Sequence, residues 1–297
     1  MDQTVEGFPI LERKFIEWAR EEDGIRAAFV VGSRARLDHP ADASSDLDIA
    51  ILAANPRLYL EDAGWVERIG KSWLTFTEPT GSGPFWERRV LFEGGYDVDF
   101  AFLPVGFLRE VLAKEFPPDL AGIVQRGVRL LFDKDGMAAQ FLEAAPYPPP
   151  ARPPSQAEFL NLVNDFWYHA VWTAKKIQRG ELWTAKMCSD SYMKWRLLSL
   201  IEWHARLVHG PRYDTWHSGR YLEEWADPDI LADLQGTFST YAETSIWRGL
   251  FASMDLFHRL AIETAERLGC PYPLEGELHA TRLVQAIHNQ MKIPDQT

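Results

Sequence analysis

Residues 29–52 of this 297-residue chain give the clearest indication of its fold. It begins Phe29-Val30-Val31-Gly32-Ser33-Arg34-Ala35-Arg36 and ends Ser45-Asp46-Leu47-Asp48-Ile49-Ala50-Ile51-Leu52. Small and β-branched apolar residues predict two buried strands, 25–31 and 47–52, with a polar loop between them. Because side chains two apart in a strand share a face, Asp46 and Asp48 should lie side by side, with Leu47 and Ile49 in the core. Two adjacent carboxylates repel each other, and a divalent cation relieves that repulsion.

A second pair of alternate aspartates stands further along the chain. Asp97 and Asp99 follow Glu93-Gly94-Gly95, which is typical of a hairpin turn. One carboxylate from this strand, added to Asp46 and Asp48, would complete a site for Mg²⁺ and a substrate triphosphate. The residue pattern alone leaves open whether Asp97 or Asp99 is that third ligand.

The turn after the first strand suits the phosphate side of such a site. Glycine at position 32 lets backbone N–H groups approach a phosphate closely, and the Ser33 hydroxyl adds a donor. Arg34 or Arg36 would add positive charge. A lone Asp-x-Asp or Gly-Ser pair is common without any ligand, but Ser33 and Asp46 stand thirteen positions apart and an Asp-bearing strand follows. The combination is therefore much more specific than either part.

The composition is that of an acidic globular protein. A formal net charge of −12 repels nucleic-acid phosphates and favours a cationic small molecule, so we expect no nucleic-acid partner. No apolar run approaches the roughly 20 residues needed to cross a bilayer, and the N-terminus lacks a signal-peptide pattern. We expect a cytoplasmic protein without membrane association, as a monomer or weak dimer.

A proline-rich segment in the middle of the chain separates two regions of different predicted secondary structure. Residues 146–154 read Pro-Tyr-Pro-Pro-Pro-Ala-Arg-Pro-Pro, which predicts an extended linker because proline at this density fits neither a helix nor a central strand. Before it, residues 1–145 predict an α/β (α+β) domain with a mixed twisted sheet. After it, residues 155–297 predict an all-helical domain, opened by a capping box of Ser155 and Glu158.

These motifs resemble those of a known family. Gly32-Ser33-Arg34, Asp46-Leu47-Asp48 and Asp99 match the signature of the polymerase-β-like nucleotidyltransferases. More closely, the chain resembles the bacterial aminoglycoside 6-adenylyltransferases, the streptomycin-modifying group. The likeness covers most of the chain, and it includes Leu91-Phe92-Glu93, Asp165-Phe166-Trp167, Lys175 and Trp203-His204.

The resemblance implies a reaction: AMP passes from MgATP to a hydroxyl of an aminoglycoside, the 6-hydroxyl of streptomycin, and pyrophosphate is released. It also implies roles for individual residues. Asp46 and Asp48 would bind the metals, two Mg²⁺ ions, and Asp99 would be both a metal ligand and the base, which selects it over Asp97. The residues that would hold the nucleotide phosphates are Gly32, Ser33, Arg34, Lys175 and Arg220. Independently of the resemblance, Asp97 and Asp165 could attract or pair with cationic groups of the acceptor, and Trp167 could stack on adenine or a sugar ring.

Other interpretations stay open. The same chemistry could serve another acceptor, such as a different antibiotic, a protein hydroxyl or an RNA end, or the chain could be a non-catalytic module that binds nucleotide or aminoglycoside. Arg220 stands where the family has lysine, and Gly94 replaces an acid of the family's turn. Lys175 and Asp165 are equally typical of solvated helix surfaces, and Trp167 of a helical core.

Overall fold

The chain divides into two compact units, Met1–Pro149 and Pro150–Thr297. The computed structural model describes residues 3–81, 83–114 and 116–291, with side chains from residue 7 onward. The division falls inside the proline-rich segment, where residues 146–154 form neither helix nor strand. Proline lacks the backbone N–H that either structure would use.

The first unit is built on a mixed sheet of six strands. These strands are β1 (Ile25–Val31), β2 (Leu47–Ala53), β3 (Ser72–Pro79), β4 (Trp86–Phe92), β5 (Tyr96–Pro104) and β6 (Arg129–Asp133). Their order across the sheet is β3-β4-β5-β2-β1-β6. The neighbours β2 and β5 are parallel, whereas β1 with β2, β1 with β6, β3 with β4 and β4 with β5 are antiparallel. The predicted mixed sheet is confirmed.

Helices cover both faces of this sheet. They are α1 (Gln3–Glu21), α2 (Pro56–Glu61), α3 (Val66–Ile69), α4 (Val105–Ala113), α5 (Pro118–Arg126) and α6 (Met137–Ala144). On one face, Ile49 and Phe100 are buried with Phe15 of α1. On the other face, Leu52 packs in a smaller cluster with Leu108 of α4 and Phe141 of α6. Because side chains alternate along a strand, this second face also carries the aspartates of β2 and β5.

The described part of the second unit contains helices joined by loops, and it contains no strand. The helices are α7 (Gln156–Gln178), α8 (Leu182–Met187), α9 (Met193–His209), α10 (Leu222–Trp225), α11 (Pro228–Thr237), α12 (Glu243–Leu268) and α13 (Leu274–Met291). A π-helical turn, Cys188–Tyr192, joins α8 to α9. The predicted capping box is present, since Ser155 Oγ accepts from the Glu158 N–H and the Glu158 carboxylate accepts from the Ser155 N–H. No helix in the described part of the chain is long and apolar enough to span a membrane.

The aromatic packing beneath β5 gives a stability prediction. Phe100 is fully buried and contacts Phe15, Trp65 and Phe92 through its ring. Phe100→Ala should lower the free energy of unfolding by about 3 to 5 kcal/mol, because it removes buried area and leaves a cavity. Phe76→Ala removes a ring that is 53% exposed on β3, and it should change that free energy by less than about 0.5 kcal/mol. Urea unfolding followed by circular dichroism measures both, and equal losses would contradict the assignment of Phe100 to the core.

Candidate active site

Three carboxylates meet at the adjacent ends of β2 and β5. In this parallel pair Asp48 lies directly opposite Asp99, and Asp46 stands one residue before β2. One oxygen from each of Asp46, Asp48 and Asp99 lies within 4.8 Å of the others. Oxygen ligands at such spacing suit a hard divalent cation. The structure therefore brings together the three residues that the sequence singled out for metal binding.

Burial changes the proton affinity of one of these carboxylates. Asp99 is 6% exposed, and desolvation raises its pKa to about 7, opposed by the charge of Arg89 and reinforced by Asp48, Glu87 and Asp46. Burial disfavours the charged form of a carboxyl group, and neighbouring carboxylates disfavour it further. A cation bound among the carboxylates would lower the pKa of Asp99 again.

The Gly-Ser turn lies against this cluster. Gly32 has a φ of +69°, and a Cβ at this position would lie 2.2 Å from Oδ2 of Asp48. Only glycine fits both the conformation and the close approach. The hydroxyl oxygen of Ser33 is buried and has no hydrogen-bond partner among the described residues. A buried donor without a partner costs free energy, and a phosphate oxygen would satisfy it.

Arg34, predicted to contact phosphate, is held by the backbone before β2. Its Nε donates to the carbonyl oxygen of Asp46 at 2.9 Å, and Nη2 donates to that of Ser45 at 2.7 Å. The guanidinium also stacks over the ring of Phe8, 3.7 Å from the centroid. Burial lowers the pKa of Arg34, while the carboxylates of Asp46 and Asp97 oppose that shift. Arg34 thus fixes the backbone that leads into β2, and Asp97 is an exposed neighbouring charge.

Two predicted acceptor residues lie on α7 of the second unit, and both are engaged by their own unit. Asp165 accepts hydrogen bonds from Tyr192 Oη at 3.0 Å and pairs with Arg196 Nε at 2.7 Å and His169 Nδ1 at 2.7 Å. Trp167 is 5% exposed, and its indole N–H donates to the Tyr272 hydroxyl at 3.0 Å. This burial does not support a role for the Trp167 ring in stacking on a base or sugar.

The two predicted phosphate cations of this unit are exposed. Lys175 lies on α7, and its ammonium has no hydrogen bond or ion pair with any described residue. Arg220 lies in the loop before α10, and its carbonyl accepts from the Trp225 indole at 2.9 Å. Left-handed backbone is concentrated around it, with positive φ at Trp216, Ser218, Gly219 and Tyr221.

One residue beside the carboxylates was missed by the sequence reasoning. Nη2 of Arg89 on β4 lies 3.1 Å from Oδ2 of Asp99, and the two residues face each other across the antiparallel pair. The hairpin register contained this information. A turn at Glu93-Gly94-Gly95 pairs Phe92 with Tyr96, and counting outward pairs Arg89 with Asp99.

A mixed sheet that brings a Gly-Ser turn and three carboxylates to one place is the arrangement of a nucleotidyltransferase. The model of the Streptomycin adenylyltransferase family matches residues 11–287. The chain belongs to this family, whose reaction implies ATP as cosubstrate and usually a divalent metal.

The chain is similar to several known proteins. The aminoglycoside 6-adenylyltransferase of Bacillus subtilis (strain 168) is 23% identical over 284 residues, which cover 94% of this chain and 96% of the relative. That of Campylobacter jejuni is 22% identical over 268 residues, covering 88% and 89%. The crystal structure of an aminoglycoside 6-adenyltransferase from Bacillus subtilis is 18% identical, covers 94% of this chain and 97% of its own, and has a TM-score of 0.45.

The close approach at Gly32 gives a second prediction. Gly32→Ala should displace the Asp48 carboxylate, because the new methyl group would overlap Oδ2, and it should weaken Mn²⁺ binding by at least about tenfold. Gly106→Ala on α4 is the matched control, since a Cβ there meets nothing within 4 Å, and it should bind Mn²⁺ as the wild type does. Isothermal titration calorimetry compares the two proteins. Unchanged Mn²⁺ affinity in Gly32→Ala would show that Asp48 is not a ligand held by this contact.

Proposed function

We propose that this protein is an aminoglycoside O-adenylyltransferase that transfers AMP from MgATP to the 6-hydroxyl of streptomycin and releases pyrophosphate in the cytoplasm. The observation that carries the proposal is the convergence of Asp46, Asp48 and Asp99 within 4.8 Å. These carboxylates lie beside a buried, unpartnered Ser33 hydroxyl. Membership of the adenylyltransferase family and the names of its relatives supply the substrates.

The carboxylates fit a resident metal by their chemistry. Asp46 and Asp48 would bind Mg²⁺, and Asp99 would complete the ligand set. We expect two Mg²⁺ ions. Bound there, the metal would stabilise negative charge on the attacking and leaving oxygens of a phosphoryl displacement. The backbone N–H groups at Gly32 and the Ser33 hydroxyl would donate to nucleotide phosphate oxygens, because a glycine lets a phosphate approach the backbone closely.

Asp99 would also accept the proton of the attacking hydroxyl. In the proposed step the acceptor oxygen bonds to the α-phosphorus of ATP while the bond from that phosphorus to the bridging oxygen breaks. The hydroxyl proton passes to the Asp99 carboxylate, and the electron pair of the broken bond leaves with pyrophosphate. Asp99 suits this role because it is the most buried of the three acids and adjoins the other two.

The charge of the protein supports a cationic acceptor. A formal net charge of −12 attracts a polycation over distances comparable with the Debye length, and salt screens that attraction. The exposed Asp97 precedes Asp99 by two positions and adds a negative charge to the same edge of the site. Lys175 and Arg220 remain candidates for phosphate contacts, since both are exposed.

A pyrophosphate-release assay with ATP and Mg²⁺ against a panel of aminoglycosides tests the proposal. Streptomycin should support turnover, and mass spectrometry of the product should show one added AMP group on the 6-hydroxyl. Turnover with a different acceptor but not with streptomycin would support the adenylyl transfer and contradict streptomycin as the substrate. Tight nucleotide binding without turnover on any acceptor would favour a non-catalytic binding module.

Replacement of the base gives a sharper prediction. Asp99→Asn removes both a metal ligand and the proton acceptor, so kcat should fall by at least about 10²-fold. Asp119→Asn makes the same chemical change at an exposed position on α5, and it should leave kcat within about twofold. Steady-state pyrophosphate release measures both variants. Retention of wild-type kcat in Asp99→Asn would remove Asp99 from the mechanism.

A further inference from the structure

Arg89 is the centre of an ion-pair network that spans three strands. Its Nε lies 2.7 Å from Oε1 of Glu78 on β3 and 2.9 Å from Oε1 of Glu87 on β4. Its Nη2 lies 3.1 Å from Oδ2 of Asp99 on β5. A single guanidinium therefore contacts three carboxylates, and one of them belongs to the candidate catalytic cluster.

Glu78 and Glu87 destabilise the sheet in which they lie. Glu78 and Glu87 lie directly opposite each other in the β3–β4 pair, and like charges in that position destabilise a sheet. Glu87 is also only 8% exposed, so its charge has lost much of its hydration. Apolar residues at both positions would pack the strands at lower cost. The arrangement is better explained by what it does to Arg89 than by its contribution to stability.

We propose that Arg89 is a positioning residue for Asp99, and that Glu78 and Glu87 hold its guanidinium in place for that purpose. The inference rests on the proposed function, because it assigns Asp99 a part in the reaction. It extends the site across β4 to the edge strand β3, beyond the residues named by the sequence motifs.

The planar guanidinium explains why arginine is needed here. Its donors form a fixed fork. The hydrogen bond from Nε to Glu87 and the ion pair with Glu78 therefore determine the direction in which Nη2 points. Nη2 then holds Oδ2 of Asp99 and restricts rotation of the carboxylate, which leaves Oδ1 as the oxygen for a cation or a hydroxyl proton. A catalytic group must be held close to its productive geometry, since a displacement of about 1 Å can cost about 10²-fold in rate.

Arg89→Gln separates this role from simple structural support. Removal of a positive charge beside Asp99 reduces repulsion of a metal ion, so Mn²⁺ should bind the metal-free protein about three- to tenfold more tightly. In the pyrophosphate assay kcat should fall by at least about tenfold, because Asp99 is no longer oriented, while KM for ATP should change by less than about threefold. Mn²⁺ affinity is measured by calorimetry and does not depend on turnover.

Three further variants complete the test. Arg89→Lys keeps the charge without the fork and should recover Mn²⁺ affinity but only part of kcat. Glu87→Ala removes the carboxylate that accepts from Nε and should lower kcat by about three- to tenfold. Arg57→Gln, which changes an exposed arginine on α2 paired with Glu61, should match the wild type in both measurements.

The outcomes separate the inference from the proposed function. Wild-type kcat in Arg89→Gln, or full recovery of kcat by lysine, would overturn the positioning role. A fall in Mn²⁺ affinity together with lower thermal stability in both Arg89 variants would reduce Arg89 to a structural support. If the wild type turned over no acceptor, the proposed function would fail, and unchanged Mn²⁺ affinity in Arg89→Gln would then still contradict coupling of Arg89 to Asp99.

Discussion

The fold of the first unit must hold three carboxylates together against their mutual repulsion. Asp46, Asp48 and Asp99 stay within 4.8 Å of one another because the parallel pairing of β2 with β5 leaves them no alternative. The pairing in turn is held by the apolar residues that alternate with the acids. Leu47, Ile49 and Phe100 are each at most 1% exposed, so a register slip of one position would move them out of the core and the acids into it.

Apolar and acidic side chains alternate along β2 and β5, so one face of these strands contributes to stability and the other to the chemistry of the site. One face supplies buried area, which stabilises the fold by roughly 25 cal/mol for each Å² of apolar surface removed from water. The other face accumulates negative charge that the fold alone does not need, and the guanidinium of Arg89 offsets part of it. The rest of the unfavourable electrostatic energy is available to bind a cation, because a ligand that binds the folded state also stabilises it.

Local signals in the sequence predicted the parts of this arrangement that depend on near neighbours. Apolar runs located β1 and β2, the Glu93-Gly94-Gly95 turn located the β4–β5 hairpin, and Ser155 with Glu158 located the start of α7. The adjacency of β2 and β5 is a contact between segments about 50 positions apart, and the resemblance, not the pattern, selected Asp99. The sequence analysis did not predict the π-helical turn Cys188–Tyr192, because no local propensity distinguishes a π-helix from an α-helix. Its carbonyl at Ser189 accepts from the buried Lys194 ammonium, a partner from the next helix.

Arg34 and Asp165 show why a residue's role is harder to predict than its place. Both match positions of the family. From the sequence, we predicted that Arg34 contacts a nucleotide phosphate and that Asp165 pairs with the acceptor. In the structure, two donors of Arg34 are used by backbone carbonyls, and Asp165 is shared by Tyr192, His169 and Arg196. A charged group whose donors or acceptors are used within its own unit has fewer of them left for a ligand, whereas the unpartnered Ser33 hydroxyl gains a hydrogen bond at once. Remaining hydrogen-bonding capacity depends on tertiary neighbours, so it cannot be deduced from the charge of a residue or from its place in a motif.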